Sequence, residues 1–191
     1  MSRGLTPMFD VAAARRVRVL ALDVDGVLTV NAIFIGEYAG ERVELKRFDI
    51  QDGLGLALLR FTDIRVVLMS GRMSAATALR GAELRILDVL QVAGPRKVPA
   101  LQAVLDREGI DWSEVAFAGD DLADLPVLRR VGLPIAVANA VRDVRAVAAV
   151  TTGAAGGHGA VREIVEGLLR ARGEWDAVLE RYLAPEPAGA R

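Results

Sequence analysis

The run VRVLAL at 17–22 leads directly into DVDG at 23–26, which places two carboxylates two residues apart at the end of an apolar segment. At strand spacing, residues i and i+2 project to the same side, and Gly26 lets the backbone turn sharply beyond them. Two acids held in this way can work on a phosphate monoester. An anionic nucleophile and an anionic phosphoryl group repel each other, and Mg2+ bridging a carboxylate and a phosphoryl oxygen offsets that repulsion. In such a scheme Asp23 attacks phosphorus and becomes an acyl phosphate. Asp25 protonates the departing alkoxide and then takes a proton from water. The pair alone is also what a capped loop contains, because Asp and Gly are common turn residues.

Two further polar groups follow apolar runs, and a third candidate stands at the start of a helical pattern. IRVVLM at 64–69 ends in Ser70, Gly71 and Arg72; a hydroxyl and neighbouring backbone N–H groups can hold phosphoryl oxygens as charge redistributes. Lys97 carries a mobile ammonium able to reach both a phosphate and Asp23, although a lysine at the start of a helix is also an ordinary solvated residue. VAFAG at 115–119 runs into Asp120, Asp121 and Asp124, oxygen donors suited to a hard cation. The expected metal ligands are Asp23, Asp120 and the backbone carbonyl of Asp25. Asp121 and Asp124 bind metal through water, orient Lys97 or support the loop. Grouped acids repel one another, so a cation or a basic residue gives a physical reason for their proximity; helix capping accounts for one or two of them at most.

These groups need a frame. Strand-length apolar runs at 17–22, 64–69, 85–90, 115–119 and 135–138 alternate with helical patterns at 52–60, 75–83, 98–108 and 122–131. That alternation predicts an α/β sandwich with a mainly parallel central sheet, whose ligands bind beyond the C-terminal strand ends. Residues 30–51 read instead as a β-hairpin insertion with a glycine-bearing turn in 36–40. The segment TTGAAGGHG at 151–159 looks flexible, and helical patterns follow at 160–172 and around 175–183. One domain over 1–184 is expected, with Pro185, Pro187 and Gly189 marking a flexible tail over 185–191.

Composition narrows the classes. Hydrophobic residues are 52% and charged residues 26%, which argues against a disordered chain. The net charge is -1, without a sustained basic patch, so no nucleic-acid partner is expected. There is no cysteine and a single histidine, His158, which removes thiol chemistry and multi-histidine zinc sites. No apolar stretch approaches a membrane span and no secretion segment opens the chain, so the expected location is cytoplasmic. A dinucleotide-binding module is disfavoured, because two acids follow the first strand where a glycine-rich turn is needed.

In order, these elements resemble the haloacid-dehalogenase-like phosphatase superfamily. LALDVDGVLT, VELKRFDIQDGLGLALL, VVLMSGR, FAGDDLADLPVLRRVGLPIAVANA and GGHGAVREIVEGLL are similar to the 3-deoxy-D-manno-octulosonate 8-phosphate phosphatase family, over about residues 16–170. The resemblance implies a Rossmann-like three-layer core without a large cap, dependence on Mg2+, and a homotetramer in which the hairpin helps cover a neighbour's site. It implies a phosphorylated sugar-acid substrate contacted by Lys46, Arg72 and Arg80, with the segment Gln51–Gly53 helping to form the pocket. The chain departs from the family pattern in three places. LTVN at 28–31 stands where LTDG is frequent, QVAGPRK at 91–97 is one residue longer and has Arg96 before the lysine, and His158 replaces a frequent arginine. The competing functions are a nonulosonate 9-phosphate phosphatase, another small sugar-phosphate phosphatase, and a catalytically weak oligomeric regulatory domain.

Overall fold

The computed structural model describes residues 8–92 and 96–184. The expected tail at 185–191 and the centre of the altered loop, 93–95, lie outside the described residues. Six strands form one sheet: β1 (Val19–Asp23), β4 (Arg65–Ser70), β5 (Asp88–Gln91), β6 (Val115–Gly119), β7 (Leu133–Ala136) and β8 (Val150–Thr151). Their order is β5-β4-β1-β6-β7-β8, with every neighbouring pair parallel. Val19, Leu20, Ala21 and Leu22 of β1 are all wholly buried. A central parallel strand covered on both faces has no polar side to present, which is why its sequence shows no alternation.

Register positions the chemistry. Asp23 aligns with Met69 of β4, and Leu22 aligns with Ala118 of β6. The C-terminal ends of the three central strands are therefore nearly flush, and the residues that follow them share one crevice. The chain runs outward from β1 to β4 and β5, then returns to β6 on the other side of β1. With right-handed crossovers, this reversal puts the connecting helices on opposite faces and makes the β1/β6 boundary a switch point.

The helices are α1 (Val11–Arg16), α2 (Ile50–Leu58), α3 (Ala75–Glu83), α4 (Lys97–Glu108), α5 (Leu125–Leu128), α6 (Arg142–Val147), α7 (Ala160–Arg172) and α8 (Trp175–Leu183). In α7, Val161, Ile164, Val165, Leu168 and Leu169 form the buried stripe of an amphipathic helix, which packs against α1, α2 and α8. α4, α5 and α6 make a second packed group. No described helix is long and apolar enough to cross a membrane.

The structure moves several expected boundaries. The strand expected from 85 begins at Asp88, because Arg85 sits at φ 55 and the N–H groups of Arg85 and Ile86 return to the end of α3. The helix expected over 122–131 is a 3-10 turn at Leu122–Asp124 followed by the single-turn α5. The hairpin is β2 (Phe34–Tyr38) paired with β3 (Glu41–Leu45), and it joins no strand of the main sheet. Its turn is Ala39-Gly40, both at positive φ, as tight hairpins require, while Gly36 lies inside β2.

The segment expected to be flexible is instead closely bonded. Gly153 and Ala154 N–H donate to Glu163, Gly156 N–H to Asn139, Gly157 N–H to the Val27 carbonyl and Gly159 N–H to Asp52. Its glycines allow close backbone approach: a Cβ at Gly156 would collide with the Gly26 carbonyl.

Candidate active site

Asp23 closes β1 and is 5% exposed. The turn after it carries Gly26 at φ 98, and a Cβ at Gly26 would overlap the Asp120 carboxylate. Glycine is thus needed for the backbone conformation and for the approach of the two acids. Lys97, the first residue of α4, reaches over the strand ends. Its ammonium donates to Asp23 Oδ1 and, at 2.7 Å, to Asp124 Oδ1. The other oxygen of Asp124 accepts from the N–H groups of Asp120 (2.9 Å) and Asp121 (3.3 Å). Both oxygens of Asp124 are therefore engaged in holding Lys97 and the loop after β6.

Asp25 has different neighbours. Its Oδ1 meets the Lys46 ammonium at 2.6 Å, and its Oδ2 lies 3.1 Å from Ser70 Oγ. Ser70 also accepts from the Arg72 N–H at 3.2 Å, which curls the loop through Gly71 into a turn. A cavity of about 280 Å³ opens beside this loop, lined by Arg42, Glu44, Arg72 and Met73–Ala75.

Asp23, Asp120 and Asp124 are buried and can bring one oxygen each within 4.8 Å of one another. Lys97 pairs with two of them, and Asp120 has no ion-pair partner among the described residues. Burial, with Asp124 next in effect, pushes the Asp23 carboxyl up to about 8 against the lowering influence of Lys97. Burial, followed by Asp124 and Asp121, pushes Asp120 up to about 7. Burial would lower Lys97, but Asp23 and Asp124 outweigh it and hold the ammonium above its ordinary range. Surplus negative charge on hard oxygen donors in a dry site is the environment a divalent cation relieves, so these residues fit one.

The remaining sequence-derived residues divide. Lys46 is buried between Asp25, Glu44 and Thr77. Arg72 pairs with Glu44 at 2.8 Å. Arg80 pairs with Glu83 and lies over the Phe48 ring, next to Gly53 of α2, away from the acid cluster. Among the described residues, the buried side-chain atoms lacking a hydrogen-bond partner are Glu44 Oε1, Arg72 Nη1 and Arg80 Nε. Asp121 is exposed and caps the following 3-10 turn through the Leu122 N–H at 2.7 Å, outside the cluster. Asp52 does not face the cavity: it accepts from the Arg162 and Gly159 N–H groups and caps α7. His158 contacts Arg47.

Sequence reasoning passed over Glu44 and Asn139. Asn139 could have been found by the rule that found the others, since it follows the apolar run at 135–138.

A family profile for haloacid dehalogenase-like hydrolases matches residues 82–164. The 3-deoxy-D-manno-octulosonate 8-phosphate phosphatase KdsC of Escherichia coli K12 is 40% identical over 166 residues, covering 87% of this chain and 86% of that protein. The crystal structure of the 3-deoxy-D-manno-octulosonate 8-phosphate phosphatase of Moraxella catarrhalis, in complex with magnesium ion, phosphate ion and KDO, superposes with a TM-score of 0.83 at 37% identity. It covers 90% of this chain and 97% of that one. The corresponding phosphatase of Yersinia pestis gives 0.81 at 36%, covering 87% and 88%. With this fold, these strand-end acids and this degree of identity, the chain belongs to the haloacid dehalogenase-like hydrolases and is a phosphatase of the branch resembling the 3-deoxy-D-manno-octulosonate 8-phosphate phosphatases.

Proposed function

We propose that the chain hydrolyses 3-deoxy-D-manno-octulosonate 8-phosphate to the free sugar acid and inorganic phosphate through an aspartyl phosphate on Asp23. The observation that carries the mechanism is the division of partners between the two acids. Asp23 sits with Lys97 in the buried cluster, while Asp25 faces Lys46 and Ser70 outside it. An Asp23 oxygen attacks phosphorus as the ester P–O bond breaks, and Asp25 gives its proton to the departing sugar alkoxide. Asp25, now a carboxylate, takes a proton from water as the water oxygen attacks phosphorus. The bond to Asp23 then breaks and phosphate leaves. Lys97 reduces repulsion between Asp23 and the incoming phosphate, and Ser70 with the Gly71–Arg72 backbone holds phosphoryl oxygens. Asp23, Asp120 and the Asp25 carbonyl would hold Mg2+, which when bound neutralises the carboxylates and withdraws charge from the phosphoryl group.

Support for a sugar-acid substrate comes from Arg72 and Glu44 beside the cavity, each with one buried, unpartnered atom, and from the octulosonate phosphatases this chain resembles. Lys46 and Arg72 are the proposed contacts to the substrate's polar groups, with Arg80 engaging its far end. The assembly we propose is a homotetramer whose hairpin covers a neighbour's site.

The test is Mg2+-supported phosphate release from octulosonate 8-phosphate, nonulosonate 9-phosphates and simple hexose phosphates. The expected result is the highest kcat/KM with the octulosonate ester. Preference for a nonulosonate would replace the substrate while leaving the chemistry intact. Full turnover by a folded Asp23→Asn variant would overturn the mechanism.

A further inference from the structure

The loop after β7 carries a side chain that the chemistry above does not use. Asn139 Nδ2 donates to the Gly26 carbonyl at 3.0 Å, and its Oδ1 accepts from the Gly156 N–H at 2.7 Å. Two residues later, the Val141 N–H donates to the Asp120 carbonyl at 2.8 Å, and the Gly157 N–H donates to the Val27 carbonyl at 3.1 Å. The segment 139–141 is thereby tied both to the turn that follows Asp23 and to the backbone of Asp120. Gly26 and Gly156 approach backbone to backbone, without room for a side chain between them.

Such a junction has a mechanical role. Gly26 stands at φ 98, a conformation available to a flexible residue but not enforced by it. Its N–H is held locally by Thr29 Oγ1 at 3.4 Å, whereas its carbonyl is held from outside the turn, by Asn139. A side-chain amide holds an NH2 donor group and an acceptor oxygen in fixed relation, and each is engaged here. We propose that Asn139 is a positioning residue for phosphoryl transfer: by clamping the Gly26 carbonyl to Gly156, it holds the Asp23–Gly26 turn in register with Asp120. This rests on the assignment of Asp23 as nucleophile.

The test compares Asn139→Leu and Asn139→Ala with the wild type and with Asp23→Asn. Three quantities are measured: steady-state kinetics, binding of Mn2+ alone to substrate-free protein by electron paramagnetic resonance, and thermal unfolding in metal-free buffer. Loss of a partner of this kind is expected to lower kcat roughly 10–100-fold and to weaken Mn2+ binding on a similar scale, with little change in substrate KM. Wild-type kcat and Mn2+ affinity in a folded variant, whatever the unfolding temperature, would show a simple loop tether and overturn the proposal. A fall in kcat at unchanged Mn2+ affinity would equally overturn the claimed register with Asp120. If Asn139→Leu does not fold, Asn139→Ala, which introduces no bulk, is judged by the same criteria. Turnover by Asp23→Asn would sink the underlying assignment; an inactive Asp23→Asn beside a normal Asn139 variant would sink only the clamp.

Discussion

Asp25 and Asp23 are chemically identical side chains separated by one valine, and their surroundings give them different work. Asp23 is enclosed by other acids and Lys97, whereas Asp25 has a serine hydroxyl and a lysine as neighbours. Asp25→Asn is expected to lower kcat on alkyl phosphates by about 10²–10⁴-fold, the usual range for a lost acid–base group. The first step should suffer less with aryl phosphates, whose leaving groups need no proton; equal loss of that step for both ester types would count against the acid role. Chelation of divalent metal should suppress turnover, with recovery on adding Mg2+. Sustained activity in protein shown to be metal-free would refute the cation's part. At this scale the sequence was most informative where chemistry followed a strand, as at Asp23, Ser70 and Asp120. Asp52 was harder to place because its partners lie more than 100 residues away in the chain. Periodicity carries no information about such contacts.

The element that depends most on a distant residue is α7. Its N-cap position is Gly159, which has no side chain to accept the first N–H groups. Asp52 of α2 accepts them instead, at 2.7 Å from the Arg162 N–H and 3.3 Å from the Gly159 N–H. Burial raises its carboxyl from 3.8 to about 6, outweighing the lowering effect of those hydrogen bonds. A raised folded-state pKa gives stability that is fully present below about pH 3.8 and lost as pH rises through about 6. Relative to Asp52→Asn, which cannot titrate, the wild type should therefore lose stability across that window, by roughly 3 kcal/mol at 1.36 kcal/mol per pKa unit. Urea unfolding of both proteins from pH 4 to 7.5 measures it, and a constant difference between them would contradict the assignment. Element boundaries were legible where local rules governed, as for α3, whose expected span matches Ala75–Glu83. They failed at 122–131, where a 3-10 turn is followed by a single turn of α-helix.

Across the whole molecule, the parallel sheet was readable because its central strands are uniformly apolar. The two-residue β8 is too short to give a pattern. The hairpin's own alternation has a larger meaning. Phe34, Gly36, Tyr38, Glu41, Val43 and Leu45 share one face, and Ile35, Glu37, Arg42 and Glu44 share the other. Glu44 turns towards Arg72, while Phe34, Tyr38 and Leu45 are at least half exposed. A face with three exposed large apolar side chains and a single charge, Glu41 at its tip, is suited to a second copy of the chain. Phe34→Glu should reduce the proposed tetramer to smaller species in sedimentation equilibrium without unfolding the core. An unchanged mass would exclude this face from the interface.

Because the hairpin pairs only with itself, it and the sheet that carries the reaction centre have separate hydrogen-bond ladders. Exchanging the insert between relatives would leave every ladder of the six-stranded sheet in place. What such an exchange would replace are the two side chains the insert sends to the strand ends, Glu44 at Arg72 and Lys46 at Asp25.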